Sequence, residues 1–166
     1  MVHGRNKSGG VIVCLISLFA CFGALTCTAH ADSFDVKAYR GNVVIVHFWA
    51  SWSDPCRRSF PWLDAIQDKY GNQGLVVVGV NEDDDELAAE KFLQEFPVTF
   101  ASVTDTDGEL FESFDLIAIP STYLIDRDGR TVARYLGFNS TQAPGYEAAL
   151  RNTLATGLNS RIARQQ

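Results

Sequence analysis

The sequence predicts an α/β fold in which helices flank a central mixed β-sheet. Two observations predict the sheet: "NVVIVHFWA" (42–50) and "GLVVVGV" (74–80) are short apolar, β-branched runs, and each is followed by a segment with helical spacing. A third observation is a β-rich pair of runs near the C-terminal end that reads as a hairpin. Strands that alternate with helices pair in parallel, so the closing hairpin makes the sheet mixed.

The first strand and helix follow directly from residue types. The run 42–50 has no polar alternation, which is typical of a strand buried on both faces. Ser-Asp-Pro at 53–55 supplies N-cap and first-turn residues for a helix that ends near Gly71. We expect Pro61 to kink this helix, because proline lacks an N–H donor and crowds the preceding turn.

The remaining elements are shorter. After the strand 74–80, an acidic stretch "EDDDE" (82–86) opens a second helix, and its charge suits the positive end of the helix dipole. "VTFASVTD" is predicted to be extended and "DGELFESF" to form a short helix. Residues 121–138 predict the hairpin, with Gly129 in its turn, and "GYEAALRNTLATGL" predicts a last helix ending at Leu158.

Residues 1–31 have the pattern of a secretory signal. Arg5 and Lys7 precede an apolar run, Val11 to Cys27, and "AHA" (29–31) resembles a cleavage site. The run also permits an uncleaved membrane anchor, and Cys21 permits a loose lipoprotein signal, against which the bulky Phe19 argues. We therefore expect a periplasmic protein with a signal peptide at 1–31, one domain at 32–158 and a flexible tail at 159–166.

Net charge and cysteine content argue against nucleic-acid binding, against binding to an anionic membrane surface and against an internal disulfide. Without Arg5 and Lys7, 12 of the 14 basic residues remain against 20 acidic residues, a net charge of −8. Such a chain offers no electrostatic footprint for nucleic acid or for an anionic membrane surface. Cys14, Cys21 and Cys27 leave with the signal, so Cys56 is the one thiol left and no internal disulfide is possible.

Two segments carry a resemblance to a known family. "VVIVHFWASWSDPCRRSFPWLDAI" resembles the active-site segment of TlpA-like periplasmic thioredoxins, which read roughly "vvvNFWAtWCxPCrxExP". "IAIPSTYLIDRDGRTVARYLG" resembles that family's "vxgiPttflIDrdGxivxrxxG". The likeness covers nearly all of residues 34 to 155. It implies a thioredoxin-like fold, within the redoxin group, and thiol-disulfide oxidoreductase chemistry with a protein thiol or disulfide as partner.

The resemblance also implies where a substrate binds. Pro120 matches the family's cis-proline, whose neighbouring backbone pairs with a bound substrate chain. Ile119 and Pro120 would then line a peptide groove together with Trp52 and Pro55.

The motif departs from the family at the reacting atoms. Ser53 stands where the family has its nucleophilic cysteine, and Cys56 stands at the resolving position. Ser59 replaces a glutamate that transfers protons. A hydroxyl does not ionise near neutral pH as a thiol does and forms no disulfide, so a two-cysteine exchange cycle within this chain is excluded.

His47 suggests a different use of the remaining thiol. It occupies the position of a buried Asp or Asn in relatives, whose side chain points toward the second cysteine, and a Cys–His pair can generate a thiolate. Ser53-x-x-Cys56 also resembles the Thr/Ser-x-x-Cys of peroxiredoxins, although Trp49 replaces their proline. The alternative is a neutral histidine satisfied by a hydroxyl or carbonyl, beside an inert buried cysteine.

Two functions remain open. One is single-cysteine redox chemistry at Cys56, assisted by Ser53 and His47, as a mixed disulfide or as peroxide reduction resolved by an external thiol. The other is a redox-inactive thioredoxin-fold module that holds an extended polypeptide. We expect no cofactor, no metal and no nucleic acid partner, and membrane contact only through an uncleaved anchor; "EDDDE" lacks the glycine and spacing of a calcium loop.

Overall fold

The computed structural model describes the backbone of residues 34–163 and the side chains of residues 34–156. The predicted signal segment 1–31 lies outside the described residues, and so do residues 164–166 of the predicted tail. In chain order the elements are β1 Val43–Trp49, α1 Asp54–Tyr70, β2 Leu75–Asn81, α2 Glu86–Glu95, β3 Ala101–Thr104, α3 Glu109–Ser113, β4 Ser121–Ile125, β5 Thr131–Leu136 and α4 Ala143–Ala163.

The strands form one mixed sheet in the order β3-β2-β1-β4-β5. β1, β2 and β3 pair in parallel, while β4 runs antiparallel to β1 and β5 antiparallel to β4. Trp49 lies opposite Asn81, and Phe48 lies opposite Ser121. The C-terminal ends of β1, β2 and β3 and the start of β4 therefore meet along one border of the sheet, called here the motif edge. The predicted mixed sheet flanked by helices is confirmed.

Apolar side chains cover both faces of the sheet. Every residue of β1 is buried, as the run 42–50 predicts. Alternate β1 residues face opposite ways, so Val43 and Ile45 join one core cluster and Val44 and Val46 join the other. The first cluster includes Phe60 of α1, the helix that supplies most of its buried helical side chains, while α2 and α4 contribute two each.

Several element boundaries differ from the predictions. Helix α1 includes Pro61 and ends at Tyr70, one residue before the predicted end near Gly71. Helix α2 begins at Glu86, because Asp85 is its N-cap and accepts the Leu87 N–H at 3.0 Å. Helix α4 continues to Ala163, past the predicted end at Leu158, since no proline or glycine follows to stop it.

The hairpin turn has the chemistry that its sequence indicates. The Asp126 carboxylate accepts the backbone N–H groups of Asp128 and Arg130, each at 2.9 Å, and Gly129 has a positive φ of 84°. In the described part of the chain, no helix has the length and apolar character needed to cross a membrane.

Candidate functional site

The Ser53–Cys56 motif lies at the motif edge, in the turn from β1 into α1. The Ser53 N–H donates to the Ala50 carbonyl at 3.1 Å, and the Cys56 N–H donates to the Ser53 carbonyl at 3.0 Å. Ser53 is the N-cap residue of α1, as predicted, but its side chain makes no capping hydrogen bond. The turn and the first residues of the helix thus fix Ser53 and Cys56 three residues apart, at the start of the first helical turn.

The Cys56 thiol is enclosed by the protein. Cys56 has no exposed surface and Ser53 is 4% exposed. Burial raises the pKa of the Cys56 thiol, whereas hydrogen bonds from the Ser53 side chain and the Ala50 backbone act in the opposite direction. Burial is the largest of these effects, so the thiol is held in its protonated, weakly nucleophilic form.

His47 does not pair with the Cys56 sulfur, which corrects the predicted Cys–His pair. Its Nδ1 lies 2.8 Å from Thr122 Oγ1 and its Nε2 lies 2.9 Å from Ser59 Oγ. Both ring nitrogens are therefore engaged by hydroxyl groups. Burial lowers the pKa of His47 to about 3, so the ring is neutral and supplies no positive charge to stabilise a thiolate.

The hydroxyl partners fix the tautomer of His47. Ser59 Oγ donates its proton to the Cys56 carbonyl at 3.0 Å, so it accepts from His47 Nε2–H. Nδ1 then carries no proton and accepts from the Thr122 hydroxyl. His47 reaches Cys56 only through Ser59 and the Cys56 backbone. This geometry is the alternative stated from the sequence, a neutral histidine satisfied by hydroxyl groups.

Asp83 anchors the turn that carries the motif. Its carboxylate accepts the Ser51 backbone N–H at 2.9 Å, the Ser51 hydroxyl at 2.8 Å and the Asn81 side-chain amide at 2.7 Å. Asp83 follows β2, whereas Ser51 follows β1, so the bonds join the ends of neighbouring strands. The sequence predicts that Asp83 lies at the solvent-exposed start of a helix. Nothing in the local pattern "EDDDE" indicates that Asp83 accepts hydrogen bonds from a residue 32 positions away.

The four residues predicted to line a groove differ in their exposure. Trp52 is 68% exposed, Pro55 and Ile119 are half-buried, and Pro120 is buried. The Ile119–Pro120 peptide bond is cis, the isomer that the resemblance implies. The Pro120 carbonyl accepts the Gly137 N–H at 2.7 Å, while the Ile119 backbone has no hydrogen-bond partner among the described residues. Trp49, by contrast, is wholly buried and belongs to the core.

An acidic cleft of about 620 Å³ lies beside the motif at the ends of β2 and β3. No basic residue lines it within the described part of the chain; its lining includes Glu82, Asp83, Asp84, Glu86, Asp105 and Asp107. Burial, with a smaller contribution from Asp105, raises the pKa of Glu82 to about 7. Nowhere in the described chain do three or more His, Cys, Asp or Glu side chains converge as a metal ion requires.

Comparison with known proteins gives a family and several relatives. The protein-family model described as Redoxin matches residues 19–150. The thiol-disulfide oxidoreductase ResA of Bacillus subtilis is 31% identical over 98 residues, which cover 59% of this chain and 55% of ResA. The chain spans between 52% and 65% of the length of the curated relatives that it matches.

Solved structures extend the likeness to the fold. A protein assigned as the thiol:disulfide interchange protein DsbE of Chlorobium tepidum is 35% identical with a TM-score of 0.70; the match covers 72% of this chain and 84% of that one. The pneumococcal exposed lipoprotein thioredoxin Etrx1 of Streptococcus pneumoniae is 25% identical with a TM-score of 0.60, over 74% of this chain and 90% of that one. Both support the thioredoxin-like fold seen in the sheet order.

Proposed function

Since this chain belongs to the Redoxin family, within the thiol-disulfide oxidoreductases of thioredoxin fold, we propose that it binds an extended polypeptide at the motif edge without itself cycling through a disulfide. The observation that carries this proposal is the state of the motif. Ser53 occupies the attacking position, and the remaining thiol, Cys56, has no exposed surface. The family's binding groove persists while its two-sulfur chemistry does not.

A complete exchange cycle needs two sulfur atoms of the enzyme, and the Ser53–Cys56 motif contains one. Exchange begins when a thiolate attacks a substrate disulfide, forming a mixed disulfide and releasing the second substrate sulfur as a thiolate. A second thiolate of the enzyme then attacks the enzyme sulfur of that mixed disulfide, releases the remaining substrate sulfur as a thiolate and leaves the enzyme with an internal disulfide. Ser53 can supply neither sulfur, and Cys56 alone would need an external thiol to release the bound substrate.

The groove offers what an extended chain needs. Trp52 presents a large apolar surface to solvent, and aromatic side chains contribute strongly to binding through their buried area. The unpaired backbone of Ile119, which lies just before β4, is available to hydrogen-bond an extended chain laid beside that segment. Pro55 and Pro120 complete the border of this surface.

We propose further that the folded domain works outside the cytoplasm. Residues 1–31 carry the pattern of a secretory signal, and the similar protein Etrx1 is an exposed lipoprotein. Antibody detection of the chain in periplasmic and membrane fractions tests this. Recovery in the cytoplasmic fraction alone would contradict it.

The experiment for the main proposal measures binding with and without the thiol. The probe is an unfolded test protein, reduced and alkylated so that it carries no disulfide or free thiol. We expect wild type and Cys56→Ala to bind it equally and Trp52→Ala to bind it more weakly. A requirement for Cys56, or no binding by the wild type, would overturn the proposal.

A second candidate is single-cysteine chemistry at Cys56, favoured by the hydrogen bonds that the Ser53 side chain and the Ala50 backbone give the sulfur. The Cys56 thiolate would attack a partner disulfide, forming a mixed disulfide and releasing the other partner sulfur as a thiolate. Alternatively it would attack hydrogen peroxide, whose O–O bond breaks to give a sulfenic acid and a hydroxide ion that takes up a proton to become water. An external thiol would then resolve the mixed disulfide or the sulfenic acid. Alkylation with iodoacetamide separates the two. Rapid labelling of Cys56 in the folded protein supports the second candidate, and labelling only after unfolding excludes it.

A further inference from the structure

The four residues of the proposed groove come from two separate parts of the chain. Trp52 and Pro55 lie in the β1–α1 turn and at the start of α1, whereas Ile119 and Pro120 immediately precede β4. A polypeptide that contacts both pairs needs them at a fixed spacing. A structure that joins α1 to β4 can therefore set the shape of the groove.

Three buried polar side chains make that connection. Thr122 of β4, His47 of β1 and Ser59 of α1 are 8%, 1% and 0% exposed. The Thr122 hydroxyl donates to His47 Nδ1 at 2.8 Å, and His47 Nε2–H donates to Ser59 Oγ at 2.9 Å. The Ser59 hydroxyl donates in turn to the Cys56 carbonyl at 3.0 Å. All three hydrogen bonds are thus donated in one direction, from β4 toward the start of α1.

Both ends of this hydrogen-bond chain adjoin groove residues along the backbone. Thr122 is two residues after Pro120, and Cys56 directly follows Pro55. Among the described residues, no other side-chain hydrogen bond joins α1 to β1 or to β4. Apolar packing between these elements is non-directional, whereas a hydrogen bond has a narrow range of length and angle. The hydrogen-bond chain therefore restricts the spacing of α1 and β4 more closely than packing does.

From this arrangement we propose that His47 is a positioning residue for polypeptide binding, which holds the Ile119–Pro120 side of the groove at a fixed distance from the Trp52–Pro55 side. This inference rests on the proposed function and concerns the geometry of the same site. His47 is buried, so it contacts no bound chain and acts through Thr122 and Ser59. A groove that already has its binding shape loses less conformational freedom when the ligand arrives, and its affinity is higher for that reason.

The test removes single hydroxyl groups and measures binding of the reduced and alkylated unfolded test protein. Thr122→Val keeps the shape of the side chain but leaves His47 Nδ1 without a donor, and Ser59→Ala leaves His47 Nε2–H without an acceptor. Each variant should bind roughly two- to thirty-fold more weakly, the range for changes within a coupled network. Thr122→Ser retains the hydroxyl and should recover most of the affinity that Thr122→Val loses.

Two variants outside the network separate positioning from general stability. Thr153→Val makes the same chemical change in α4, where the Thr153 hydroxyl donates to the Ala149 carbonyl at 2.9 Å. Ile66→Val removes one carbon atom from a buried side chain of α1 and lowers stability without touching the hydrogen-bond chain. Urea unfolding measures the stability of every variant, and both controls should bind the test protein as wild type does.

The results that contradict the inference differ in their meaning. Wild-type affinity in both Thr122→Val and Ser59→Ala would reject the positioning role and leave the proposed function standing. An equal loss of affinity in Ile66→Val or Thr153→Val would also reject the role, because binding would then follow general stability. Absence of binding by the wild type would reject the proposed function and this inference with it.

Discussion

At the level of single residues, the neutral state of His47 makes the stability of the fold depend on pH. The folded pKa is about 3, well below the usual value of 6.5, because burial disfavours the charged ring. Between these values the unfolded chain binds a proton that the folded chain does not. The contribution of His47 to the free energy of unfolding therefore has its full value above pH 6.5 and decreases as the pH falls toward 3.

We predict that His47→Asn flattens this dependence. The free energy of unfolding of the wild type can be measured with urea between pH 7 and pH 4. Below the unfolded pKa of about 6.5, protonation of His47 in the unfolded chain should lower it by up to about 1.4 kcal/mol per pH unit. The variant lacks the titrating ring and should lose that part of the slope. An identical slope in the two proteins would show that His47 is already protonated in the fold.

Ionisation of Glu82 affects stability in the opposite direction, over a pH range that overlaps that of His47. Its folded pKa is about 7, raised above 4.5, so the folded chain binds the extra proton and is destabilised as the pH rises through that interval. Glu82→Gln should thus raise the free energy of unfolding at pH 8 by about 1 kcal/mol, as expected when a desolvated charge is removed. The gain should disappear at pH 4, where the protonated Glu82 of the folded wild type is as uncharged as the glutamine of the variant. Denaturant titrations at the two pH values measure it.

Sequence reasoning found His47 and missed its partners for a physical reason. The histidine stands out because a titratable ring interrupts an apolar strand. Thr122, however, faces it only because β4 pairs antiparallel with β1 in a register that sets His47 opposite Thr122, 75 positions along the chain. No local pattern encodes that register. Without it, Ser59 reads only as the loss of a glutamate and not as a hydrogen-bond partner of the ring.

At the level of elements, the anchoring of the β1–α1 turn by Asp83 should control the order of the motif. Asp83→Ala removes the acceptor of the Ser51 N–H, the Ser51 hydroxyl and the Asn81 amide together. We expect the free energy of unfolding to fall by about 1–3 kcal/mol, since buried donors lose their partner. Hydrogen exchange of the Ser51 amide should accelerate more than exchange in β4, because the loss is local.

Asp84→Asn is the matched control for this prediction. It removes a neighbouring charge that makes no hydrogen bond to the turn, so the Ser51 amide should keep its protection. Equal acceleration in both variants would show that general electrostatics, and not the anchor, orders the turn.

Elements differed in how far the sequence determined them. Strands β1 and β2 were predicted within a residue or two, because continuous burial on both faces leaves a strong apolar signal. The start of α2 was missed because the five acidic residues at 82–86 look equivalent in sequence. In the fold Glu82 and Asp84 line the cleft, Asp83 anchors the β1–α1 turn, Asp85 is the N-cap and Glu86 is the first residue of the helix.

At the level of the whole molecule, the chain has the fold of the family, while Ser53 stands where the resemblance implies the attacking cysteine. The sheet order, the cis peptide bond before Pro120 and the exposed Trp52 need no sulfur atoms to form, since packing and backbone hydrogen bonds hold them. The sequence could predict both the retained scaffold and the missing nucleophile. It could not predict that Cys56 is fully enclosed, because burial depends on how α1 packs against β1 and β4.

We predict that one substitution, Ser53→Cys, gives this scaffold thiol-disulfide exchange activity. In Ser53→Cys the new sulfur lies at the N-terminus of α1, at the N-cap position, where the helix dipole and free amides favour a thiolate. Its pKa should fall from about 8.5 toward 7, which raises the thiolate fraction at neutral pH by about tenfold. Positions 53 and 56 are three residues apart at the start of α1, the spacing of the family's two cysteines, so the two sulfurs should be near enough to form a disulfide.

The measurement is reduction of a disulfide-containing test protein with dithiothreitol as electron source. Ser53→Cys should accelerate it above the background that wild type and Ser53→Ala both give, and mild oxidation should consume both of its thiols. The double variant S53C/C56S should form mixed disulfides with the test protein that accumulate, because no second thiol releases them. A folded Ser53→Cys protein that neither forms the disulfide nor accelerates reduction would show that the scaffold, and not only the nucleophile, has diverged from thiol exchange.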